Sequence, residues 1–193
     1  MSDQEIINNS RLQIILSLLK KNLKKLIIFS IIIIILLIGF YVFKNYKKKI
    51  TLKISEDYII AKSLIEKNNN IEAKEILLNI IEKKHKFYSP SSLYILIDNN
   101  ILVDKKRIIA SFDKIIGIRS LEVENRNLIK IKKVLFLFKN GSEKEILETL
   151  NPIINSDSAW KAQAIQIMGD YFKSNGENKK SKEYYNLLKI TKN

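Results

Sequence analysis

The sequence predicts an all-α chain: a single transmembrane anchor helix followed by a solenoid of about four helical hairpins. Three observations predict it. An uncharged apolar run from Leu26 to Phe43 is bracketed by lysines. Apolar residues in positions 44–193 recur at helical spacing, and the whole chain holds only two prolines and five glycines. Small residues in that same region recur in a fixed pattern at steps of 37, 36 and 35 residues.

The run Leu26–Phe43 is 18 residues long. At about 1.5 Å per residue it reaches ~27 Å, close to the ~30 Å hydrocarbon core of a bilayer. Lys24 and Lys25 stand at one end and Lys44, Lys47, Lys48 and Lys49 at the other, where their long stems can reach the interface. Phe40, Tyr41 and Phe43 supply an aromatic belt. The run exceeds the ~7–15 residues of a cleavable leader, and Phe43-Lys44 stand where small residues would be needed, so an uncleaved anchor is expected. Charge does not orient it. Five basic residues precede the span, and six follow within its next twenty positions. Residues 1–25 form an arm in which Ile7, Ile14, Ile15 and Leu18 can share one face of a basic amphipathic helix, with a frayed arm as the alternative. Residues 44–54 form a basic juxtamembrane linker.

Residues 55–193 carry the repeat. Ala61, Asn68 and Ala73 are spaced seven and then five apart, as are Val134, Gly141 and Ile146, and Gly169, Gly176 and Ser181. Asp98, Lys105 and Ala110 form a weaker instance. This step is close to the 34-residue tetratricopeptide unit. Two antiparallel helices approach closely only where the crossing residues are small, and the turn between them needs Gly or Asn to adopt positive φ. Leu77, Leu150 and Tyr185 stand four residues after the small position of the second helix, the third of each triad, where bulk fills the gap to a neighbour. The expected helices are 55–67, 71–84, 91–101, 105–117, 126–139, 143–150, 158–174 and 178–190. Ser142 with Glu145 reads as a capping box. Ser89-Pro90 reads as an N-cap followed by a first-turn proline, and Asp104 and Asn178 as two further caps. Asn151-Pro152 should end its helix near Leu150. Trp160, the only tryptophan, reads as a packing residue at a helix start.

Composition excludes several chemistries. The absence of cysteine removes disulfides, thiolate metal sites and thiol nucleophiles. One histidine, His85, removes every two-histidine metal motif, and it sits in Lys83-Lys84-His85-Lys86, a solvated basic turn. There is no Gly-rich phosphate loop, and Asn140-Gly141 lacks the Lys-Ser/Thr that would follow it. No catalytic, cofactor or metal site is expected. The formal charge of +14 rests on 34 basic residues of which only four are arginine. Nucleic-acid binders lean on arginine for bidentate contacts, so no nucleic-acid partner is expected, whereas an anionic bilayer suits this charge.

The order of these features resembles the YfgM-like proteins, ancillary subunits of the SecYEG translocon whose domain also occurs among cell-division coordinators. The resemblance rests on three features. One is an anchor ending Gly39-Phe40-Tyr41-Val42-Phe43, and another is Tyr58-Ile59-Ile60-Ala61 opening the first helix pair. The third is a terminal run of Trp160, Gly169-Asp170, Gly176, Ser181 and Tyr185. The usual alanine positions are often Val, Ile or Ser here, and 98–134 matches poorly. The resemblance implies a bacterial inner-membrane protein of type II topology, with a cytoplasmic arm and periplasmic repeats. It also implies contact with the translocon, with a membrane-anchored parvulin-type chaperone and with unfolded exported proteins, and no catalysis.

A stacked array offers a concave face built from the first helix of each pair. By repeat phase, Lys62, Ile65, Glu66, Leu135, Phe138, Asp170 and Lys173 point into it, a lining suited to extended polypeptide. Three functions stay open: a translocon-associated export scaffold, a periplasmic adaptor for envelope assembly or division without translocon contact, and a cytoplasm-facing scaffold if the orientation is reversed.

Overall fold

The computed structural model describes residues 3–138 and 141–191, with side chains from Leu23 onward except Leu26 and Thr191. The side chains of the expected amphipathic face of the arm, and Asn140 of the third turn, lie outside the described residues. All described regular structure is helical: α1 (Asp3–Glu66), α2 (Asn70–Glu82), α3 (Tyr88–Asp98), α4 (Lys105–Ile116), α5 (Val123–Leu137), α6 (Glu143–Ile154), α7 (Lys161–Ser174) and α8 (Asn178–Thr191). The chain divides into two compact units, Met1–Leu52 and Lys53–Asn193.

In the first unit, α1 holds a segment long and apolar enough to cross a membrane, with a mean hydropathy of 3.2 over its best window and none of that window buried. Its large apolar side chains from Ile27 to Phe43 are 40–68% exposed. A core helix of a soluble fold would instead be covered by its neighbours. The basic stretch 44–54, set apart as a linker, is helical. No glycine or proline occurs between Gly39 and Pro90, so nothing in the local sequence interrupts the backbone hydrogen bonds there.

The second unit has two apolar clusters. Ile54, Ala61, Leu77, Leu93, Phe112 and Ile115 belong to the first, and Val134, Ile146, Leu150, Ile165, Met168 and Phe172 to the second. From α2 onward each helix packs on the next, α7 on α8 and α2 on α3 most extensively. Side chains also join next-but-one helices. Tyr88 Oη donates to Ser55 Oγ at 2.9 Å between α3 and α1, and Lys114 of α4 pairs with Glu82 of α2. Lys132 of α5 lies 4.4 Å over the Tyr94 ring of α3. Phe138, capping α5, meets Tyr171 of α7 edge-on at 5.9 Å, and Lys180 of α8 reaches Glu143 of α6 at 3.0 Å. These partners are 32–38 residues apart in the chain.

The small residues divide by instance. Ala61 and Ala73 are fully buried, as are Val134 and Ile146, and Asn68 (φ 60°) and Gly176 (φ 78°) adopt the left-handed conformation at their turns. Gly141 does not. A Cβ there would lie 2.9 Å from both Cβ and the carbonyl oxygen of Leu137, so glycine serves close approach. The Asp98–Lys105–Ala110 instance fails. Asp98 and Ala110 are exposed and Lys105 opens α4, while Asn100 (φ 53°) makes the turn and Ser92 and Ser111 are the buried small residues.

Caps follow the same split. Asp104 accepts from the Arg107 amide, and Ser142 with Glu145 forms the full capping box. Asn178 is the first residue of α8 rather than its cap. Two proline readings are overturned. Helix α3 begins at Tyr88 with Phe87 at its N-cap, and Ser89 is buried, donating from Oγ to the Ile80 carbonyl at 2.9 Å. Pro90 is tolerated there because first-turn amides have no intrahelical acceptor to lose. Helix α6 runs through Pro152 to Ile154. Burial of Ile153 and Ile154, 0% and 6% exposed, offsets the hydrogen bond that proline removes.

Candidate protein-binding surface

A mainly apolar cleft in the second unit lies between α3 and α5. It is lined by Pro90, Ser91 and Tyr94 from α3 with Leu121, Leu128 and Ile129, and its volume is about 290 Å³. Lys86 and Phe87 also line it, and Phe87 is 62% exposed.

Two local devices set this cleft. His85 Nδ1 accepts the amides of Phe87 and Tyr88, both at 3.2 Å, which starts α3 and turns Pro90, Ser91 and Tyr94 to one side. The imidazole is thus a helix cap, half-buried and 5.0 Å from the Tyr88 ring, not a solvated turn residue. Burial lowers its pKa, and Lys86 lowers it further, so the neutral acceptor form is favoured. In the first turn of α5, Arg126 donates to the carbonyls of Ile116, Ile118 and Leu121 at 3.0–3.1 Å. Those contacts close the end of α4 and fix where α5 begins. Tyr94 Oη is buried and finds no hydrogen-bond partner, and burial pushes the phenol up to about 12.

The expected groove residues divide into separate places. Lys62, Ile65 and Glu66 share a second cleft with Ile95 and Asn99, between α1 and α3. Leu135 and Lys173 are exposed on α5 and α7. Phe138 and Asp170 are committed to packing: Phe138 against Tyr171, and Asp170 accepting from Tyr185 Oη at 2.6 Å. Neither of these two clefts holds all seven. The α3–α5 cleft escaped the sequence reading. Its signal was present as Phe87, Pro90, Ser91 and Tyr94, spaced i, i+3, i+4 and i+7.

A third cleft, between α2 and α4, is lined by Leu78, Glu82, Arg107 and Lys114. The three clefts therefore fall between next-but-one helices. Among the described residues no group of three His, Asp or Glu side chains is arranged to hold a metal ion. Comparison with family models, with curated proteins and with solved structures returns no significant match.

Proposed function

We propose that this chain is a membrane-anchored helical-repeat scaffold that binds protein partners along the clefts between its next-but-one helices. One observation carries the reading: side-chain links at 32–38 residues join α1 to α3, α2 to α4, α3 to α5, α5 to α7 and α6 to α8. Such spacing is what stacked hairpins of tetratricopeptide type produce, since each repeat contacts its neighbour through equivalent helices. Arrays of this kind bind extended polypeptide in the grooves that stacking leaves open. The apolar segment of α1 supplies the anchor.

The sequence resemblance names the partner to test first. In this reading the chain is an ancillary subunit of the SecYEG translocon in a bacterial inner membrane, with its repeats in the periplasm, where it aids hand-off of exported proteins to a parvulin-type chaperone. An adaptor for envelope assembly without translocon contact is the second reading, on the same geometry.

Two measurements decide. The chain has no native cysteine, so Asp157→Cys at an exposed site gives a clean topology probe. Labelling by an impermeant maleimide in cells with a permeabilised outer membrane is expected. Labelling only after inner-membrane lysis overturns the periplasmic placement. A photo-crosslinking residue at Phe87 is then expected to capture a translocon subunit. Capture of envelope-assembly or division proteins instead selects the adaptor reading.

A further inference from the structure

We propose that the lysines following the apolar segment of α1, Lys44, Lys47, Lys48 and Lys49, form a cationic collar that selects anionic phospholipid headgroups, so that the anchor gathers an anionic lipid shell around itself. The inference rests on the membrane-anchor part of the proposed function and adds the class of lipid it binds.

The charge pattern is extreme over this stretch. From residue 6 to residue 55 there is no aspartate or glutamate, while Arg11 and nine lysines fall within it. The cations avoid the apolar run itself and stand at its two ends. Lys25 and Lys44 are nineteen residues apart, which on a helix is about 28 Å, the thickness of a hydrocarbon core. Ammonium groups at both ends therefore reach the two headgroup levels together.

Lys24, Lys25, Lys44, Lys47, Lys48 and Lys49 are all exposed. A helix advances about 100° per residue. Lys44, Lys47 and Lys48 then span an arc of about 100°, and Lys49 extends it by about another 100°, so cations cover more than half of the circumference. Tyr46, 62% exposed, completes the circuit. An acidic protein helix would dock on one side and would be met by a one-sided patch. A shell of lipid meets the helix from every side, as this collar does. The nearest carboxylate after Lys49 is Glu56, beyond the three or four residues at which helical side chains pair. Among the described residues, Lys47 Nζ lies 4.6 Å over the Phe43 ring. That geometry draws the ammonium back towards the aromatic belt, where lipid phosphates lie. Anionic headgroups attract such juxtamembrane lysines, and zwitterionic ones do so far less.

The test uses the full chain reconstituted in vesicles of equal phosphatidylglycerol and phosphatidylcholine. Resistance to carbonate extraction is checked first, and spin-labelled analogues of each lipid then report its share of the immobilised shell. Phosphatidylglycerol is expected to be enriched about threefold over phosphatidylcholine. The combined substitution K44Q/K47Q/K48Q/K49Q should bring the ratio close to one, and the arginine counterparts at the same four positions should restore it. Equal shares for the native chain, or enrichment that survives the glutamine substitutions, overturns the collar while the anchor stands. A native chain extracted by carbonate overturns the anchor reading and the proposal with it.

Discussion

Gly169 of α7 and Tyr185 of α8 occupy the same space: a Cβ on Gly169 would lie 2.7 Å from Cε1 of Tyr185. The tyrosine ring cannot swing away freely, because its hydroxyl donates to Asp170 at 2.6 Å, and Ser181 Oγ donates to the Gly169 carbonyl at 2.9 Å beside it. Gly169→Ala is therefore expected to destabilise the detergent-solubilised chain by about 1–2 kcal/mol, the overpacking cost outweighing alanine's helix preference. In a Tyr185→Ala background the sign should reverse, with Gly169→Ala stabilising by about 1 kcal/mol. Denaturant titration of the four chains measures it. A penalty that persists without the tyrosine ring would locate the clash elsewhere.

Tyr94 buries a hydroxyl that has no partner. Removing an unsatisfied group costs nothing in hydrogen bonding and recovers part of its desolvation penalty, about 1–3 kcal/mol at most. Tyr94→Phe is expected to leave stability unchanged or raise it by up to ~1 kcal/mol, and the ring keeps its place beneath Lys132. A loss above 1 kcal/mol in thermal melts would show that the hydroxyl is bonded in solution.

His85 caps α3 only while Nδ1 is unprotonated. Burial, reinforced by Lys86, lowers the folded-state pKa below its ordinary value of 6.5. The sign follows from linkage. Between the two values the unfolded chain binds the extra proton, so the cap's contribution is full above pH 6.5 and is lost as pH falls through the folded-state value. His85→Ala is expected to cost about 0.5–2 kcal/mol at pH 8. The difference from the native chain should shrink as the pH is lowered towards 5. Parallel pH-dependent melts of the two chains would refute the cap.

Pro152 is exposed and sits inside α6. Alanine there restores an amide donor to the Glu148 carbonyl, worth more than the ~0.4–1 kcal/mol that proline's restricted unfolded state contributes. Pro152→Ala is expected to stabilise the chain by about 1 kcal/mol. A melting temperature that falls would mean that the kink itself is needed by the packing of Ile153 and Ile154.

How much was legible follows the range of the forces involved. The cap at Asp104 and the box of Ser142 with Glu145 could be read because donor and acceptor lie three residues apart. The crossing of Gly169 and Ser181 could be read because one turn separates the helices. The N-cap assigned to Ser89 missed because the competing acceptor, the Ile80 carbonyl, belongs to the preceding helix. His85 looked like one more charge in a basic turn, since its role depends on the chain folding back to offer two amides to one nitrogen. The repeat spacing does not hold across 98–110, where Ser92 and Ser111, not Asp98 and Ala110, take the buried small positions.

The sequence by itself determined the all-helical class, the apolar segment with cations at both ends, and the helix starts whose caps are local. These depend on composition and on neighbours within one or two turns. Tertiary structure decided where α3 begins, that α6 continues past its proline, and which faces meet across next-but-one helices to leave clefts. Those outcomes turn on burial of side chains such as Ile153 and Ile154 and on bonds across 30 or more residues, such as Tyr88 to Ser55. Burial and long-range partners exist only once the chain has closed on itself.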